Sequence, residues 1–447
     1  MNSSTHLLVS TMVFTLSLFA LNMSPAQGNA GPDASSATPE QLDIIAYCTP
    51  PIDQMSVERF REMVECGFTA GIPAERIYDM ESTDKMLRMA HEAGLKLFVN
   101  VDETLTEPER VAEYFRGNPG LAGYFVIDEP TWGPEGWSKT HFVAKPIHNV
   151  SLGDIVSRLQ SVEPEHPAYI NLFPNFASPE QLGTSSYEEH VNRLIEEVPD
   201  LRMLSFDHYP IANYRVSEYW YQNLETISAA ARKRGIPFWA FALTSTHYSY
   251  TPATLDHLRL QMHVNLAYGA QGLQYFPYWA PNRDHWYSPI NVDGTRGELF
   301  EHVKTMNAEV QTMAPVFKNA TVLEVSHTGS KAQWRPGSVD NPQPWVQEEG
   351  PLPPGTRPYV PAAPFTEVVT QGSQGAVISN LEKNGRRFQV VVNKDYAHAM
   401  VLQVHFDGSR QVQIMTECGQ WEPIEETYFH QIMPPSGIRI FSWESAP

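Results

Sequence analysis

The sequence predicts an α/β protein: a (β/α)8 TIM barrel followed by a C-terminal antiparallel β-sandwich. Three observations lead there. Between Leu42 and Phe317, eight short apolar runs alternate with eight helical segments, and eight such units in about 275 residues match the barrel. Gly67, Gly94, Gly235 and Gly269 each stop a helical run just before the next apolar run, as C-terminal caps do. After Phe317 the texture becomes short alternating runs divided by Gly, Asn and Asp, the pattern of antiparallel strands.

Taken in order, LDIIAYC is the first strand, and SVERFREMVECG the first helix, with Val57, Phe60, Met63 and Val64 on one face. FTAGIP and DKMLRMAHEAG repeat the unit, as do LKLFVNVD and EPERVAEYFRGN. LAGYFVIDEP is the fourth strand, with SLGDIVSRLQSVEP its helix. PAYINLFP and SYEEHVNRLIEEV form the fifth unit, MLSFDHYP and YWYQNLETISAAARKRG the sixth. PFWAFALTS with TLDHLRLQMHVNLAYG, then GLQYFPYWAP with GELFEHVKTMNAEVQTMAPVF, complete the set. The strands are apolar on both faces, as parallel strands under helices must be. A doubly wound sheet would normally have fewer units or a nucleotide-binding glycine loop after its first strand, and CTPPID is not one.

The expected organisation is a leader over 1–30, a barrel over 31–317 and a β-sandwich over 318–447 with a Pro/Gly-rich excursion at about 330–365. The apolar stretch Leu7–Leu21 and the small residues before Ala26 read as a cleavable secretory signal, with an uncleaved anchor as the alternative. A secreted or periplasmic protein follows, with no membrane insertion after cleavage. Three cysteines make no disulfide framework. Cys48 ends a strand and Cys66 a helix at opposite poles, so both are expected as buried free thiols.

Apolar residues make up 42% of the 447, enough for a large core. The formal charge of −20, from 51 acids against 31 bases, repels phosphate backbones and argues against nucleic-acid partners. No cofactor motif occurs, neither P-loop nor G-x-S-x-G, and no His and acid pair has zinc spacing. Neither a cofactor nor a metal is expected, and the oligomeric state stays open.

Barrel enzymes carry their chemistry at the C-terminal ends of the strands. That pole here receives Asn100 and Asp102, Asp128 and Glu129, Asn171, then Asp207, His208 and Tyr209, and lastly Tyr275, Tyr278 and Trp279. Acids, amides and aromatics together suit a sugar: aromatic faces stack on pyranose CH groups, and carboxylates and amides take the hydroxyls. Glycoside hydrolysis needs two carboxylates flanking the scissile bond. Glu129 is the expected acid and Asp207 its partner, with Asn100, Asp128, Asn171, His208, Tyr209, Tyr275 and Trp279 expected to bind the substrate. Strands four and six lie about 10 Å apart, so inward carboxyls can stand about 5 to 9 Å from each other, a range that covers both retention and inversion. For each residue a structural role is the alternative: a turn at Glu129, an ion pair or cap at Asp128, a network at Asp207, core packing at Trp279. Two long loops, TWGPEGWSKTHFVAKPIHN and PNRDHWYSPINVDG, rise from the same pole. Their Trp132, Trp137, Phe142, Trp286 and Tyr287 read as a lid or glycan subsite, or as packing on the β domain.

The chain resembles the barrel glycoside hydrolases of the clan that contains the β-galactosidases. That clan ends its fourth strand in Asn-Glu-Pro with the Glu as acid/base; DEP stands there here, so the resemblance gives Glu129 that role and Asp128 the sugar contact. SPINVDGTRGELFEHVKTMNAEV is similar to the end of those barrels, and YINLFPNFASPEQLGTSSYEEHV and LSFDHYP resemble a group of secreted bacterial barrel proteins. The likeness covers about Leu42 to Phe317. One departure stands out: the clan nucleophile, a Glu ending the seventh strand, has no counterpart in PFWAFALTS. Either the second carboxylate has moved to Asp207, or less favourably Asp102, or the barrel binds glycan without cutting it.

Overall fold

Eight parallel strands close into a barrel in chain order, each beside the next and the last beside the first. They are β1 (Asp43–Tyr47), β2 (Ala70–Ile72), β3 (Lys96–Val99), β4 (Leu121–Asp128), β5 (Ala168–Leu172), β6 (Leu204–Phe206), β7 (Phe238–Leu243) and β8 (Gly272–Phe276). The computed structural model describes residues 40–74, 79–141, 145–330 and 350–445. The expected leader, Phe142 and residues 331–349 of the Pro/Gly-rich excursion lie outside the described residues. Among those described, no helix is long and apolar enough to cross a membrane.

The helices α1 (Val57–Glu65), α2 (Met80–Ala93), α3 (Pro108–Phe115), α4 (Leu152–Val162), α5 (Tyr187–Glu197), α6 (Tyr219–Arg234), α7 (Leu255–Ala267) and α8 (Leu299–Phe317) follow the strands. Their starts have local causes. Ser56, Asp79, Ser151, Ser186 and Thr254 each accept a backbone N–H of the first turn, which satisfies a donor that the helix itself leaves free. Gly94 and Gly235 close α2 and α6 in the left-handed region, where a side chain is disfavoured.

The long loop after β4 is itself a small antiparallel sheet of Thr131–Gly133, Gly136–Lys139 and Ile147–Val150. Trp137 is fully buried, and its indole donates to Glu197 of α5 at 2.5 Å. Trp132 packs edge-on to Trp137 and lies under Arg193 of the same helix. These two tryptophans therefore fasten the loop to the outside of the barrel. They are neither a lid nor a subsite.

Beyond α8 come two antiparallel sheets. The larger has the order β9 (Thr321–His327), β11 (Ala376–Lys383), β12 (Arg386–Asn393), β17 (Ile438–Glu444), β14 (Gln413–Met415), β15 (Trp421–Pro423). The smaller is β10 (Phe365–Gln371), β13 (Met400–Phe406), β16 (Tyr428–Met433). Alternation shows how they stack. Val377, Val390, Val392 and Ile440 join the barrel's core, whereas Ile378, Val391 and Phe441 join a second core with Leu402, Val404 and Met433 of the smaller sheet. The central sheet thus buries both faces, one on the barrel and one on its partner sheet. Residues from Glu40 onward form one body. Cys48 and Cys66 are buried and Cys418 is exposed, and among the described residues none of the three forms a disulfide.

Candidate active site

The register of three neighbouring strands sets one polar row. Asp128 of β4 pairs with Asn171 of β5, and Asn171 with Ser205 of β6. Residues level in a parallel sheet present their side chains side by side. Asn171 Nδ2 donates to Asp128 Oδ1 at 3.0 Å and to Asp207 Oδ1 at 3.0 Å. Its Oδ1 accepts from Ser205 Oγ at 2.8 Å, so the amide orientation is dictated from below. Ser205 in turn accepts from Gln274 Nε2 at 2.9 Å, and Gln274 Oε1 accepts from Tyr169 at 2.7 Å. A chain of polar contacts inside an apolar barrel is stable only when each member is satisfied, and this one ends on two carboxylates.

Glu129 follows Asp128 at the strand end. Its N–H still donates to Asn171 O at 2.8 Å, so the strand pairing runs one residue further. Its φ of +46° then turns the chain. A glutamate in the left-handed region is disfavoured by its own side chain and again by the following Pro130. Strain of that kind, about 1–3 kcal/mol, gathers at functional sites. The turn leaves Glu129 beside Asp128 at the mouth.

Lys139 is the cation of the site. It lies on the middle strand of the β4 loop, buried, 2.8 Å from Asp128 Oδ2 and 3.6 Å from Glu129 Oε2. Burial opposes its charge, but Asp128, Glu129 and Asp207 outweigh that and hold the ammonium pKa above its ordinary value. The three acids are half-buried, recessed yet open to solvent. Burial, reinforced by the charge of Asp128, lifts the Glu129 carboxyl up to about 7, with Lys139 pulling it down. Burial also raises Asp207 well above the carboxylate range, with Glu129 and then Asp128 adding to it. Three acids against one lysine cannot all ionise cheaply in such a recess. Both raised carboxyls therefore favour keeping a proton in the recess.

Around the acids the mouth is aromatic. Tyr47 meets Phe125, Phe241 and Phe276 edge-on at 5.9–6.2 Å. Tyr209 stacks on Phe276 at 5.8 Å and meets Tyr250 edge-on at 5.7 Å. Strand β7 is followed by Thr244 and Ser245, both buried, so its end delivers no carboxylate to the mouth. Among the described residues no group of three or more His, Cys, Asp or Glu is arranged to hold a metal ion. Recesses of about 240 and 430 Å3 open on residues of the C-terminal sheets. Neither is lined by any of these acids, and the chemistry sits with the acids.

Comparison with known proteins adds the fold. No protein-family profile matches the chain. No curated protein matches it in sequence. Among solved structures, a catalytic mutant of a GH42 β-galactosidase from G. stearothermophilus is similar with a TM-score of 0.57 and 8% identity, over 90% of this chain and 98% of that one. A structure described as a glycoside hydrolase is similar with a TM-score of 0.53 and 8% identity, over 91% of this chain and 93% of that one. At such identity the likeness is one of fold.

The expected site residues divide by geometry. Asp128, Glu129, Asn171, Asp207 and Tyr209 come together at the mouth. Asn100 is buried and ties the end of β3 to the loop after β2, its amide donating to Pro73 O at 2.8 Å. His208 turns away from the mouth toward α6, where Nδ1 meets Asn223 Oδ1 at 3.0 Å, and burial pushes its imidazole down to about 4. Tyr275 is a correction. Its neighbours Gln274 and Phe276 point into the barrel, so parity sends Tyr275 outward, where it packs edge-on to Phe68 at 5.5 Å. Trp279 is likewise 3% exposed, beneath Arg59 of α1, and offers no open stacking face. Asp102 makes an exposed ion pair with Lys145 instead of joining the acids.

Lys139, Ser205, Gln274 and Tyr169 were not anticipated. A signal existed for three of them. Ser205 and Gln274 are lone polar residues inside apolar strands, and a polar residue there needs a partner. In GWSK, Trp137 and Lys139 share one face of an alternating strand, which marks Lys139 as inward-facing.

Proposed function

We propose that this protein is a glycoside hydrolase acting on a poly- or oligosaccharide, with Glu129 as general acid and Asp207 as nucleophile or general base. The reading is carried by one observation: Glu129 and Asp207 follow strands on either side of β5 at the same recessed mouth, tied through Asn171 and Asp128. With its pKa near 7, Glu129 holds a proton at neutral pH and gives it to the leaving oxygen as the glycosidic bond breaks. Asp207, once ionised, meets the positive anomeric carbon directly or deprotonates the water that attacks it. Lys139 stabilises the Glu129 anion that proton transfer creates, and keeps Asp128 oriented toward a sugar hydroxyl. Asn171 fixes both aspartates with one amide. Tyr209 supplies an apolar wall.

In this reading 31–317 is the catalytic barrel and 318–447 its companion domain. A leader over 1–30 delivers the chain to the periplasm or outside, where its partner is a carbohydrate. The bare β7 end favours a second reading, a barrel that binds glycan without cleaving it. One experiment separates them. The wild type, Glu129→Gln and Asp207→Asn are assayed against aryl glycosides and oligosaccharides. Cleavage lost in both variants supports the hydrolase. Full activity in both sinks the assignment, and glycan binding with no cleavage even by the wild type favours the second reading.

A further inference from the structure

A line of rings leads from the acids to the rim of the barrel. Tyr209 meets Tyr250 at 5.7 Å, Tyr250 meets His247 at 4.9 Å, and His247 meets Tyr248 at 5.3 Å and His285 at 4.5 Å. Trp286 is joined to the same wall by reciprocal backbone hydrogen bonds with Thr246, at 2.7 and 3.2 Å. These residues come from the loops after β6, β7 and β8, so parallel strand order puts them all at the pole that carries Glu129 and Asp207.

The outer end of the line is unusual. Tyr248 is 86% exposed and Trp286 55% exposed. Tyr248 also stands in the left-handed region, at φ +50°, where a bulky residue is a rare outlier. The backbone is strained, and the ring it holds lies largely in water, edge-on to His247. Core packing does not explain that placement. A ligand passing over the rim does.

We propose that the track from Tyr209 through Tyr250 and His247 to Tyr248 and Trp286 is an extended subsite for a neutral oligosaccharide chain whose end lies at Glu129 and Asp207. Ring faces suit the CH faces of successive sugars. Burial, then the neighbouring His285, pushes the His247 imidazole down to about 4, so at neutral pH it offers uncharged hydrogen bonding to a hydroxyl. The chain's charge of −20 and the acids at the inner end disfavour a polyanionic glycan. This inference rests on the mouth being a sugar site, and it commits the substrate to several sugar units lying toward β7 and β8.

The test compares chain lengths. Tyr248→Ala and Trp286→Ala are assayed with neutral gluco-, galacto-, manno- and xylo-oligosaccharides from disaccharide to hexasaccharide. The expected result is a ratio of kcat/KM for long over short substrates that falls roughly three- to tenfold per ring removed. Trp286→Phe recovers part of it. Tyr114→Ala, which removes an exposed ring from α3, leaves the ratio unchanged. Loss that is equal at every length, or no loss, overturns the track while activity abolished in Glu129→Gln leaves the hydrolase reading standing. If the wild type cleaves none of these sugars, binding to the same series is measured by calorimetry on Glu129→Gln. Affinity that rises with length, and that both ring variants lose, supports the track while the hydrolase reading falls. Absent or length-independent binding overturns it.

Discussion

Lys139 lies 2.8 Å from Asp128, across a reversal of the chain that carries the β4 loop out along the barrel and back to the mouth. It is the buried positive charge against three acids. Lys139→Met removes it. Glu129 then holds its proton more tightly, so the alkaline limb of the pH–rate profile moves upward by about one pH unit. Leaving the carboxylates unpaired also costs about 3 kcal/mol of stability at neutral pH. Rate profiles and urea unfolding check both, and an unmoved limb contradicts the assigned pairing.

Glu129→Gln removes the proton donor. The expected fall in kcat is about 100- to 10,000-fold on substrates with poor leaving groups. The acid form is the active one, so wild-type activity declines as pH rises through about 7, and the residual activity of the variant lacks that limb. A profile over pH 4–9 for both proteins measures it.

The same carboxyl gives a stability signature of unusual sign. Its folded pKa is raised from 4.5 to about 7. Between those values the folded state binds a proton that the unfolded state has lost, so stability falls as pH rises through this window and levels off above it. The cost at alkaline pH is on the order of 3 kcal/mol. Glu129→Gln is therefore expected to melt higher than the wild type at pH 8, with the difference vanishing near pH 4. Thermal melts across that range decide it.

Asn171→Ala takes one donor from two aspartates at once. A fall in kcat of about tenfold to a hundredfold is expected, with KM less affected. Ser205→Ala acts through the same amide, by freeing it to rotate. The double variant is thus expected to lose less than the sum of the two singles. Strict additivity in that cycle argues against the row acting as a unit.

Tyr275→Phe tests which rings are at the mouth. The Tyr275 hydroxyl is buried with no hydrogen-bond partner among the described residues, and removing an unsatisfied group costs little. Unchanged kcat/KM and unchanged or raised stability are expected. A specific loss of substrate affinity would return Tyr275 to the site.

Much of the fold was legible because its signals are local. Apolar runs, capping residues and the glycines that end helices repeat with the barrel's period, and the positive φ of Gly67, Gly94, Gly235 and Gly269 agrees with their reading as helix stops. In the site, the strand-end position of Asp128, Glu129, Asn171 and Asp207 was legible for the same reason. The direction of a ring past a strand end was not. Tyr275 and Phe276 are neighbours on opposite faces, and a shift of one residue in parity exchanges them. Trp132 and Trp137 misled because aromatic density looks the same whether it faces a ligand or a helix.

By itself the sequence determined that eight strand ends share one pole, and therefore that Glu129 and Asp207 belong to one face of the molecule. Strand direction and the order of closure follow from local alternation and right-handed crossovers, so no distant contact was needed. Only the tertiary structure decided that Lys139 returns to the acids, that Asn171 joins two aspartates, and that His208, Tyr275 and Trp279 turn away. Those outcomes depend on register between strands and on Trp137 seating against Glu197 of α5, contacts between residues far apart in the chain, whose geometry no local pattern encodes.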